Sequence, residues 1–102
     1  MIKNLDNANY HEAIRKTEAG ILLCYKKLRP HCRNMEKVLI KFADKQSNIK
    51  LFSIDSEENT AVMEKLRTER IPTIHVIKNG VIKAKKSGLM NPREMADFYQ
   101  SA

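Results

Sequence analysis

A chain of 102 residues is near the commonest domain size, and 42% hydrophobic with 30% charged residues marks a globular rather than a disordered composition; one domain over residues 1–102 is expected. Nineteen basic residues against twelve acidic leave a net charge of +7, but the lysines are dispersed. They cluster only briefly, at Lys26-Lys27-Leu28-Arg29 and Lys83-Ala84-Lys85-Lys86, which reads as a solvated surface, so nucleic acid is not an expected partner.

The elements alternate along the chain. Asn9 or Asn7 caps a first helix carrying Tyr10, Ala13 and Ile14 at helical spacing. Gly20 then opens Ile21-Leu22-Leu23-Cys24-Tyr25, a continuous apolar run that suits a strand buried on both faces. Pro30 stands as the first residue of the next helix, whose apolar face is Met35, Val38, Leu39, Phe42 and Ala43, with Cys32 at its start. Ile49 to Ile54 reads as a second buried strand. Asp55 or Ser56 is expected to cap a helix from about Glu57 to Thr68, with Val62, Met63 and Leu66 inward. Thr73–Ile77 and Val81–Lys85 flank Lys78-Asn79-Gly80, a hairpin signal. The last helix starts with Asn91 as cap, Pro92 at the first position and Glu94 reaching back, and buries Met95, Phe98 and Tyr99. The order is a short edge strand or coil, then α, β, α, β, α, β, β, α. It predicts an α/β fold with a central mixed β-sheet flanked by helices on both faces.

Several function classes are absent. No apolar run approaches the roughly 18 residues of a membrane span, and no basic start followed by an apolar stretch marks a secretory signal. Two cysteines are too few for a disulfide scaffold, so a reducing cytoplasm is the expected setting. There is no zinc-finger spacing and no glycine-rich phosphate loop. His31 beside Cys32, with His75, matches no standard zinc pattern. No metal and no cofactor are expected. His31 is expected at an exposed loop-to-helix position, His11 on a solvated helix face, and His75 as a satisfied or surface imidazole.

In this order, the chain resembles the thioredoxin family over essentially its whole length. The match is carried by the apolar strand Ile21–Tyr25 running into Arg29-Pro30-His31-Cys32 at a helix start, by Ile54-Asp55 closing the next strand, by Arg70-Ile71-Pro72-Thr73, and by Lys78-Asn79-Gly80 followed by Gly88. The resemblance implies the thioredoxin fold, a cis proline at Pro72, and a role in cell redox homeostasis. It also implies a groove for an extended peptide, made here by Leu28, Ile71, Pro72, Thr73, Gly88 and Leu89 beside Pro30 and His31, with β-like pairing to Ile71.

The departures bear on the chemistry. The family's Cys-Gly-Pro-Cys falls on Arg29-Pro30-His31-Cys32, so Arg29 stands at the attacking cysteine and Cys32 at the resolving one. The family's tryptophan falls on Leu28, its buried aspartate on Leu23 and that residue's lysine partner on Leu51. Dithiol exchange needs two thiols close enough to bond. Alternation turns Cys24 away from Leu23 to the other face of the sheet, so Cys24 is read as a small core hydrophobe.

Cys32 is therefore the candidate catalytic thiol. A helix N-terminus and nearby cations, Arg29 and Arg33 with Lys26 and Lys27, lower a thiol pKa, with Pro30 and His31 completing the motif. One reading is a monothiol protein forming mixed disulfides or reacting with peroxide, with glutathione, a thiol protein or a thioredoxin-reductase-type protein as partner. The alternative is a redox-inert binding module holding an acidic or extended peptide beside Pro72. Nothing marks an obligate interface, so a monomer is expected.

Overall fold

The computed structural model describes residues 2–46 and 48–102. The chain runs β1 (Ile2–Leu5), α1 (Tyr10–Arg15), β2 (Ala19–Tyr25), α2 (Pro30–Asp44), β3 (Lys50–Asp55), α3 (Thr60–Lys65), β4 (Thr73–Lys78), β5 (Val81–Ser87) and α4 (Pro92–Ser101). The five strands form one sheet in the order β1-β3-β2-β4-β5. β1 and β2 pair parallel with β3, whereas β4 runs antiparallel to both β2 and β5. This is the mixed sheet with helices on both faces that the alternation implies.

The apolar run in β2 is the middle of the molecule, and its period of two sorts the two cores. Ile21 and Leu23 face Met35, Leu39 and Phe42 of α2 and Met95 of α4. Leu22 and Cys24 face Ile14 of α1 and Val62 and Met63 of α3. Ile21, Leu22 and Cys24 are wholly buried, and each large aliphatic side chain so buried contributes about 1.5–3 kcal/mol.

The hairpin forms where the Asn-Gly pair requires it. Asn79 (φ 53) and Gly80 (φ 80) both take the left-handed conformation of a two-residue turn. Their N–H groups donate to the Glu18 and Thr17 carbonyls, at 2.7 and 2.8 Å, so the turn is bound to the α1–β2 connection. At the other end of the chain Asn91 and Glu94 exchange both bonds of a capping box, 2.8 and 3.1 Å, as their spacing predicts.

The start of α3 differs from expectation, and α1 lacks the side-chain bond of its expected cap. α3 begins at Thr60 rather than near Glu57, and ends at Lys65 rather than Thr68. The Asp55 carboxylate accepts the N–H groups of Glu57 and Glu58, at 2.9 and 3.4 Å, in a local turn that competes with helix. Arg67 takes φ 51, which ends the helix before Thr68. α1 does follow Asn9, but the Asn9 side chain makes no cap bond and instead accepts the Asp6 N–H at 2.8 Å. No helix among the described residues is long and apolar enough to cross a membrane.

Candidate functional site

The site forms where β2 ends and α2 begins. Pro30 is the first residue of α2, and its ring restricts the residue before it to extended backbone. Arg29 has that conformation, φ −99 and ψ 117, and caps the helix without a side-chain bond. Its carbonyl accepts the N–H groups of Cys32 and Arg33 at 3.1 and 3.2 Å, which closes the first turn. Leu28, just before, is left-handed (φ 61) and 86% exposed. Cys32 turns inward and is only 4% exposed, while His31 and Arg33 face outward.

Across from this helix start lies the turn ahead of β4. The Ile71–Pro72 peptide bond is cis. Thr73 is buried, with its hydroxyl on the Arg70 carbonyl and 2.8 Å from the Ser87 hydroxyl. Gly88 donates to the Pro72 carbonyl at 2.8 Å. Met90 donates its N–H to the Met35 sulfur at 3.2 Å, tying the segment after β5 to α2.

Between the two lies a groove of about 220 Å³ lined by Arg29, Pro30, His31, Cys32, Ile71 and Pro72. All of these lining residues are singled out in the sequence, and the fold brings them together. Leu28 and Leu89 stand exposed outside the lining. Thr73 and Gly88 act one step back: they hold the turn rather than face the groove. Lys27 lies 3.8 Å from the Asp55 carboxylate and 3.4 Å from that of Glu58. Sequence reasoning gives Asp55 only the role of a helix cap and misses this pairing.

Both cysteines are free. Cys24 lies in the core on the α1/α3 face, across the sheet from Leu23 and α2. Burial pushes its thiol up to about 12, against a hydrogen bond with Thr68 that works to lower it. Thr68 also lies 2.9 Å from Nε2 of His75. His75 is neither on the surface nor fully satisfied: it is 1% exposed, and Nδ1 has no partner among the described residues. Burial and the neighbouring Lys85 push it down to about 4, so it is neutral. The signal for it in the sequence is a lone imidazole in the apolar run Ile74–Ile77. Among the described residues no cluster of three His, Cys, Asp or Glu side chains is placed to hold a metal ion. A larger cleft, about 510 Å³, lies at the opposite end of the sheet between α1 and the start of β3, and is lined by neither thiol, imidazole nor carboxylate.

The thioredoxin family model matches residues 1–101. A thioredoxin of Pseudomonas aeruginosa is 26% identical over 98% of this chain and 94% of its own length. The solution structure of reduced desulfothioredoxin from Desulfovibrio vulgaris Hildenborough superposes with a TM-score of 0.87 at 35% identity, over 98% of this chain and 97% of that one. A mutant thioredoxin from Halobacterium salinarum gives the same TM-score of 0.87 at 17% identity, over 98% and 88% of the two chains. The strand order, the groove between α2 and the Ile71–Pro72 turn, and the match of the family model over nearly every residue agree: this chain belongs to the thioredoxin family.

Proposed function

We propose that this protein is a monothiol member of its family, a redox protein in which Cys32 forms mixed disulfides while the site lacks the pair of thiols that dithiol reduction requires. The observation that carries this reading is the composition of the groove. Cys32 is the one thiol among its lining residues, and Arg29 stands three residues earlier where a second thiol would complete the pair. Cys24 is in the opposite core and cannot close onto it without backbone movement.

The step is ordinary thiol–disulfide exchange. The Cys32 thiolate attacks one sulfur of a disulfide such as oxidised glutathione. A new S–S bond forms, the old one breaks, and the departing thiolate takes up the proton that Cys32 released. Arg29, Pro30, His31 and Arg33 flank Cys32 in the first turn of α2. With a peroxide the same thiolate would take one oxygen, giving a sulfenic acid and releasing the alcohol or water. A reducing cytoplasm and a monomer fit this reading.

Treatment with oxidised glutathione followed by intact mass analysis tests it. The wild type and Cys24→Ser are expected to gain one glutathione, and Cys32→Ser none. An adduct that persists in Cys32→Ser ends the proposal. A second measurement is the pH dependence of alkylation at Cys32 in a Cys24→Ala background. A midpoint well below about 8.5 supports a tuned thiolate, and one at or above it opposes the reading.

A second reading is favoured by a different observation. Leu28, next to Arg29, and Leu89, next to Gly88, are exposed apolar side chains, 86% and 48%. Such side chains with Arg29 suit an extended acidic peptide that pairs with Ile71 and rests on Pro72. On this reading Arg29→Glu weakens peptide capture and Cys32→Ser does not. The reverse ranking counts against it.

A further inference from the structure

A mixed disulfide at Cys32 must be consumed before the thiol can react again. What can consume it depends on which sides of the sulfur are open. Cys32 is 4% exposed and lines the groove, so the groove is its open side and the protein closes the others. No second thiol of the chain can reach it. Arg29 stands three residues earlier in the groove lining, and Cys24 lies in the core on the α1/α3 face of the sheet.

A thiolate breaks a disulfide by entering in line with the S–S bond, opposite the sulfur that leaves. In the adduct the partner's sulfur lies outward of Cys32, in the groove. In-line attack on the Cys32 sulfur would have to pass through the protein, because that side is buried. In-line attack on the partner's sulfur comes from solvent. Burial therefore chooses the sulfur, and the choice returns Cys32 free.

Charge chooses the thiol. Arg29 lines the same groove, is exposed, and makes no ion pair and no side-chain cap bond among the described residues. Lys27, two residues before, is paired with Asp55 and Glu58. No Asp or Glu lines the groove. An anionic thiol therefore approaches an unopposed guanidinium, which also has the fork of donors that fits a carboxylate.

We propose that the Cys32 adduct is consumed by an external anionic thiol, which attacks the partner's sulfur and is selected by Arg29. This second half of the cycle rests on the mixed-disulfide reading of Cys32. The incoming thiol loses its proton to solvent, and its sulfur bonds the partner's sulfur. The bond from that sulfur to Cys32 breaks, and Cys32 leaves as a thiolate that regains a proton. One disulfide is consumed and one is formed, with no net oxidation. The thiol is small and carries a carboxylate near its sulfur, as glutathione does. Arg29 determines specificity and touches neither reacting sulfur.

The test starts from the glutathione adduct of Cys32, made with an activated glutathione disulfide. It is made on the folded wild type, and on Cys24→Ala in urea before return to buffer. Loading then does not depend on oxidised glutathione reacting unaided, and a failure of that reaction counts against the mixed-disulfide reading alone. Each adduct is mixed with 2-mercaptoethanesulfonate, 2-mercaptoethanol or cysteamine, at equal thiolate concentration and low ionic strength. Intact mass analysis should show free protein as the first product, with glutathione released as the small mixed disulfide. Protein carrying the new thiol as the first product overturns attack on the outer sulfur. An adduct that persists with all three thiols overturns the step. The ratio of the anionic to the cationic rate should be about fivefold higher in the wild type than in Arg29→Gln. Lys45→Gln, about 20 Å away at the far end of α2, should keep the wild-type ratio. An unchanged ratio in Arg29→Gln, or an equal fall in Lys45→Gln, overturns selection by Arg29.

Discussion

Gly88 donates its backbone N–H to the carbonyl of Pro72 at 2.8 Å. That bond joins the end of β5 to the turn that forms one wall of the groove. Gly88 holds φ 94, a conformation side chains rarely adopt, yet no atom lies within 4 Å of where its Cβ would be. The cost of Gly88→Ala is therefore backbone strain alone, about 1–2 kcal/mol. Urea unfolding should show that loss with an unchanged slope against denaturant, because the surface exposed on unfolding is the same. A loss well below this would mean that the turn relaxes.

The buried thiol of Cys24 makes stability fall in alkali. Its ordinary value near 9.0 is raised to about 12 in the folded chain. Stability from this group is present in full below the unfolded value and is lost as pH rises toward the folded one. The slope in that window is at most about 1.4 kcal/mol per pH unit. Cys24→Ala should flatten the dependence between pH 9 and 10 on the order of that slope. An equal slope in the variant would assign it to other groups.

His75 acts in the acid direction. Its folded value near 4 lies below the ordinary 6.5, because burial and Lys85 disfavour the cation. Its contribution is complete above 6.5 and is lost as pH falls through that window toward 4, again by at most about 1.4 kcal/mol per pH unit. Unfolding free energies measured at pH 7 and pH 5 should differ less in His75→Phe than in the wild type. A difference of the same size in both would separate the acid dependence from this imidazole.

The capping box of α4 closes the helix that packs against α2. Asn91→Ala removes the acceptor for the Glu94 N–H and leaves Glu94 with one bond of the pair. About 1 kcal/mol is expected to be lost, or a fall in Tm of about 4–8 °C for a domain near this size. Met95 and the Met90–Met35 contact lie directly behind this helix start. The variant should also speed alkylation of Cys32, and an unchanged rate would show that the loosening stays local.

Much of this protein follows from order along the chain. The apolar run Ile21–Tyr25, the period of α2, the Asn79-Gly80 turn and the Asn91–Glu94 box are local signals, because each is set by backbone sterics or by contacts a few residues apart. They determine the α/β alternation, and with Pro30 they put Cys32 at a helix start; that this start faces the Pro72 turn is implied by the family resemblance alone. Alternation in β2 alone is enough to send Leu23 and Cys24 to opposite cores. The start of α3 departs from its helical spacing because Asp55 satisfies two backbone donors in a turn of its own, a competition that spacing does not register. The pairing of Lys27 with Asp55 and Glu58 and the contact of Thr68 with His75 are decided only by tertiary structure. Each depends on which strands become neighbours in the sheet, and burial, which fixes the charge of His75 and the inertness of Cys24, is a property of that arrangement rather than of any residue or its spacing.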